Sequence, residues 1–155
     1  MKFLVILAAF MCLGAAGTQA AAPRVNDCRA LPGASVRVRL TLTPEGVPIN
    51  EILIKTAVNR VWNARGLKVE WAAAPAPDKK LWDDVDLWVN FRKSEINKAV
   101  DTAANKLSRE YLIQPISAHH LLFAERQGAV EEVLGDTVSE EIRKFLSSAQ
   151  CEQGR

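Results

Sequence analysis

The chain has only two histidines, and they are adjacent, in Ser117-Ala118-His119-His120. A zinc ion needs its ligands within about 2.0–2.3 Å of one point. Neighbouring residues face opposite sides of a strand and diverge by about 100° on a helix, so His119 and His120 do not chelate one ion as a pair. A metal-dependent hydrolase would have to complete the site with Glu125 or with an Asp from residues 83–86. Histidines at the rim or surface are the plainer expectation. The acidic run Asp83-Asp84-Val85-Asp86 invites a calcium reading, but no glycine and no distal Glu follow at calcium-loop spacing. A solvated entry to a strand explains it better. Ser117 has no G-x-S-x-G elbow around it. Glu131/Glu132 and Glu140/Glu141 are sequential pairs that point different ways on a helix, so they form no convergent acid–base pair. Phosphate loops and dinucleotide fingerprints are absent from the sequence. A non-catalytic chain without a cofactor is therefore expected, with the zinc hydrolase as its rival.

The elements that would position these residues follow from periodicity. In "SVRVRLTL" the residues Val36, Val38, Leu40 and Leu42 alternate with Arg37, Arg39 and Thr41, which is a half-buried strand ending at the turn signal Pro44-Glu45-Gly46. "INEILIKTAVNRVWNARG" changes to the 3.6-residue repeat through Ile54, Ala57, Val58, Val61 and Trp62, with Asn50 as N-cap and Gly66 as the stop. "LKVEW" alternates again, and the short joints predict a crossover between parallel strands. "AAAPAPDKK" is a loop, and a third strand runs through Val85–Phe91. A second helix carries Ile96, Ala99, Val100, Ala103 and Leu107, capped by Ser94 and ending before Pro115. Residues 115–134 fit either a strand at Leu121–Phe123 followed by a short helix over Gly128–Leu134, or one longer helix, and the first is preferred here. Thr137-Val138-Ser139-Glu140 matches a capping box for a last helix whose apolar face is Val138, Ile142, Phe145, Leu146 and Ala149. The expected class is α+β or three-layer α/β: a mixed sheet of about three or four strands packed by three helices.

The ends of the chain set the compartment. Lys2 followed by the apolar stretch Phe3–Ala16 and the small residues of "GTQAAAP" reads as a signal peptide over residues 1–21, cleaved near Ala21. The stretch is too short to anchor the mature chain in a membrane. A single exported domain, 22–155, secreted or periplasmic, is the expectation. Cys12 leaves with the leader, and Cys28 and Cys151 remain, 123 positions apart. An isolated pair in an oxidising compartment reads as a disulfide, which for so long a loop contributes about 4–5 kcal/mol at most. The chain carries 20 Lys and Arg against 18 Asp and Glu, and losing Lys2 brings it closer still to neutrality. Such a balance offers nothing to nucleic acid. A protein, peptide or small-molecule partner is expected instead. Arginine and aromatic side chains are the favoured anchors, which singles out Arg37, Arg39, Trp71 and Trp88, although a core role is the stronger expectation for each tryptophan.

Residues 35–91 also resemble a known family. The order strand, long helix with an aromatic near its end, second strand with a G-x-x-V-x-W pattern (Gly66-Leu67-Lys68-Val69-Glu70-Trp71) and a further strand in "DLWVNF" resembles the N-terminal half of small secreted metzincin-like zinc proteases. The resemblance implies zinc held by H-E-x-x-H on a late helix, whose Glu activates the bound water. In this chain the corresponding stretch is Glu140-Glu141-Ile142-Arg143-Lys144, in which only Glu141 matches. Lys144 would bring an ammonium to the place of a metal ligand, and no histidine follows. The family's chemistry therefore does not transfer to these residues, and the late helix is expected to close the core.

Overall fold

The computed structural model describes residues 34–43, 46–124, 126 and 128–152. The expected leader over residues 1–21, the expected start of the domain at residue 22, Pro44-Glu45, Cys28 and Glu125 lie outside the described residues. Cys151 falls on a described helix, but its side chain lies outside the description. In chain order the elements are β1 (Ser35–Leu42), α1 (Glu51–Asn63), β2 (Lys68–Trp71), β3 (Leu87–Phe91), α2 (Lys93–Tyr111), α3 (Pro115–Ala124) and α4 (Ala129–Glu152). The expected α/β character holds. Among the described residues the sheet is parallel throughout rather than mixed, in the order β2-β1-β3, and there are four helices rather than three, with α3 packed on α2.

The alternation of β1 sorts the sheet into two faces. Val36, Val38 and Leu40 are buried, and their register partners Val69, Leu87 and Val89 share that face. Ile54, Val58 and Trp62 of α1, the Ile96–Leu107 stripe of α2 and Leu134, Val138 and Ile142 of α4 complete this single core. Each such aliphatic side chain, fully buried, contributes about 1.5–3 kcal/mol of transfer free energy. The opposite face carries Arg37, Arg39, Thr41, Trp88 and Asn90, and among the described residues it packs no helix. Residues 72–86 cross it on the way from β2 to β3, because a parallel neighbour can be reached only by a crossover.

Asn50 caps α1 as expected, its side chain accepting from the Ile52 amide at 3.0 Å. Past Asn63 the chain turns at Gly66, whose φ of 77° lies in the left-handed region. Ser94 is not the cap of α2. The helix starts at Lys93, Ser94 donates to the Glu95 carboxylate, and Glu95 reaches back to accept from the Arg92 amide at 2.9 Å. The strand expected at Leu121–Phe123 is instead the C-terminal half of α3. Pro115 sits in the first turn, where its missing N–H costs nothing, and Ala118 and Leu122, one turn apart, are buried.

The capping box expected at Thr137–Glu140 is also replaced. α4 runs unbroken through Gly135, and the Thr137 hydroxyl donates to the Val133 carbonyl at 3.1 Å inside the helix. Gly135 is a packing residue. A Cβ there would stand 3.0 Å from Ala57 Cβ and 3.5 Å from the Ile54 carbonyl oxygen, so the glycine lets α1 and α4 approach closely.

Candidate functional site

The four anchors expected from the sequence do not form one surface. Arg37, Arg39 and Trp88 lie on the loop-covered face, whereas Trp71 lies on the helix face, donating from Nε1 to Asn59 Oδ1 at 3.0 Å with Lys55 Nζ 5.5 Å above its ring. Arg39 is only 5% exposed. Its guanidinium donates to the carbonyl oxygens of Ala73 (3.2 Å), Leu81 and Asp83 (3.1 Å), which ties the crossing loop to the sheet. The solvated sheet face expected for Arg39 is thus roofed by backbone, and its donors face the loop instead of a ligand. Arg37 remains exposed. Trp88 donates to Thr41 Oγ1 at 3.0 Å and packs against the more exposed Trp82, ring centres 6.1 Å apart.

The acidic run of the same loop faces three ways. Asp83 accepts from the Lys80 amide at 2.8 Å, Asp86 from the Arg37 amide at 2.7 Å, and Asp84 pairs with Lys79 at 2.5 Å. The hydrogen bond from Lys79, reinforced by its charge, holds the Asp84 carboxyl below its ordinary value. His119 and His120 sit on α3, as divergent as adjacency on a helix requires. His119 Nε2 lies 3.6 Å from Asp101 Oδ1 at the surface, and His120 is exposed. Among the described residues no three His, Cys, Asp or Glu side chains converge as metal ligands would. On α4, Glu140 pairs with Arg143, and Glu141 with Lys144 at 2.7 Å, both at the surface. The pair from Glu141 raises the Lys144 ammonium above its ordinary value.

A groove that the sequence reading did not single out lies at the other end of the helical layer. Pro48 and Ile49, the first turn of α1, the end of α3 and the first turn of α4 enclose about 620 Å³. Ile52 is 71% exposed, Leu53 39% and Phe123 50%, and all three line it. A smaller hollow of about 280 Å³ shares Leu53 and Gly128 and continues between α1 and α4 toward Arg60. Among the lining residues Glu131 is buried, 6% exposed, and accepts from the Asn50 amide at 2.9 Å. Arg126 also lines the groove, but its guanidinium is turned to Glu110 at 3.1 Å and to the hydroxyl and ring of Tyr111. One signal for the groove was present in the sequence. Ile52-Leu53-Ile54 cannot all face the core of one helix, and only Ile54 does.

Compared with protein-family models, with curated proteins and with solved structures, the chain matches none. Its class is set by its own architecture: a small parallel-sheet domain, helical on one face, with an apolar groove at the helix ends.

Proposed function

We propose that this is an exported, non-catalytic binding domain that takes a small ligand with an apolar body into the groove between α1, α3 and α4. The observation that carries the reading is the groove's lining. Ile52, Leu53 and Phe123 remain exposed around a hollow of about 620 Å³, within the usual range of about 300–1,000 Å³ for ligand sites. Export is supported by the leader-like composition of residues 1–21, and a Cys28–Cys151 disulfide would suit that compartment. The resemblance of residues 35–91 to small secreted zinc proteases fits descent with the metal chemistry given up. In support, Glu140 and Lys144, at the positions of the family's histidines, are engaged in surface ion pairs.

The test is the binding of a neutral, environment-sensitive dye such as Nile red to the folded protein. Introducing Leu53→Asp and Phe123→Asp together should weaken binding by at least tenfold. Leu53 and Phe123 are 39% and 50% exposed and so lose some packing, and an unfolding curve is recorded beside the titration to show that the double variant is folded where binding is measured. Dye binding that survives both substitutions would refute the groove as the site.

A further inference from the structure

Within the groove one feature is chemically out of place. Glu131 is a carboxylate, nine-tenths buried, in a hollow otherwise walled largely by Ile49, Leu53, Leu122, Phe123 and Val130. Among the described residues its one hydrogen bond is the contact of Oε1 with the Asn50 amide, and no cation lies within ion-pair distance. A carboxylate this far withdrawn from water gains from further donors or a cation, and Asn50 supplies one neutral amide. Arg126 lines the same groove, yet its guanidinium is held by Glu110 and Tyr111. The other acidic residue of the lining, Glu51, is already paired with Lys55 at 2.6 Å. The groove therefore presents a largely buried carboxylate with room for a further donor beneath an apolar wall.

We infer that the ligand is a small primary amine with an apolar body, its ammonium donating to Glu131 while the body lies against Leu53 and Phe123. The inference rests on the groove being the binding site and adds the charge and polarity of what it holds. The size suits a small molecule, since the hollow holds about 620 Å³ and ligand sites usually run to about 300–1,000 Å³.

The experiment is an NMR amide-shift titration of the full mature chain with 2-phenylethylamine, 2-phenylethanol and 3-phenylpropionate, which share one apolar body. The amine should bind at least about tenfold more tightly than the alcohol, with the carboxylate weakest and shifts centred on Asn50–Leu53 and Ala129–Glu131. Glu131→Gln keeps an acceptor for the Asn50 amide and should bring amine and alcohol to within about twofold of each other. Glu51→Gln, at a lining residue already neutralised by Lys55, should preserve the preference. Equal binding of amine and alcohol in the groove would overturn this inference and leave the groove reading standing, as would an amine preference that persists in Glu131→Gln. Absence of shifts around the groove with all three compounds would overturn both. A tripeptide with a free N-terminus binding more tightly than the amine would overturn the small-molecule assignment.

Discussion

Arg39 offers the sharpest test of how this sheet is held together. Replacing it with Met keeps most of the buried length but removes the donors that meet the carbonyls of Ala73, Leu81 and Asp83. Hydrogen bonds from a charged donor contribute about 1.5–3 kcal/mol each. Two considerations lower the sum. Ala73 and Leu81 are exposed, so water can replace the guanidinium at their carbonyls, and removing a buried charge relieves its desolvation. A net loss of about 3 kcal/mol is expected for Arg39→Met. Arg39→Lys, which keeps the charge but not the planar fork, should lose about half as much. In urea, with a slope of about 1.5 kcal/mol per molar, the Met variant's midpoint should fall by about 2 M at unchanged slope. Hydrogen exchange adds a local reading, because the Ala72 and Asp86 amides bond to β1 at 2.8 and 2.9 Å and should lose protection along with the loop. A Met variant within about 0.5 kcal/mol of the parent, with those amides still protected, would refute the clamp.

Three further outcomes follow from local geometry. Gly135→Val should destabilise by about 1–3 kcal/mol, since even its Cβ would press on Ala57 at 3.0 Å; a thermal melt of the double variant with Ala57→Gly should recover part of the loss. Leu112 ends α2 in the left-handed region, with φ 54°, and is 92% exposed. Leu112→Gly should therefore gain about 0.5–1 kcal/mol, seen as a melting temperature raised by about 2–4 °C. The Asp84 carboxyl is held below its ordinary value by Lys79, and that of Glu95 by backbone hydrogen bonds in the first turn of α2. Depressed carboxyls stabilise the fold above the unfolded-state value of about 4 and lose that contribution as pH falls through the folded-state value. Stability should therefore decline from about pH 5 downward, and the decline should be shallower in Asp84→Asn with Glu95→Gln when urea midpoints are compared at pH 6 and pH 3.

Where one physical signal dominated, the residues announced their structure. The two-residue alternation of β1 already separated Val36, Val38 and Leu40 from Arg37, Arg39 and Thr41, and Asn50 and Gly66 bracketed α1. His119-His120-Leu121-Leu122-Phe123 was different. A short apolar run satisfies strand and helix periods equally, and what made it a helix is the burial of Ala118 and Leu122 beside α2. Gly135 followed by Thr137-Val138-Ser139-Glu140 looked like a stop and a restart, because nothing local reveals that Ala57 of another helix needs the missing Cβ.

Chemistry divides along the same line. The sequence alone determined that the two histidines cannot pair on one ion as neighbours, that the late helix lacks H-E-x-x-H, and that Arg39 points away from the apolar face, because adjacency, identity and alternation are local properties of the chain. Tertiary structure decided what lies over Arg39, which tryptophan shares its face, and that Ile52, Leu53 and Phe123 meet around a buried Glu131. Those outcomes depend on which distant segments come together. A carboxylate on a helix gains its meaning only from the side chains, or the lack of them, that the fold places opposite it.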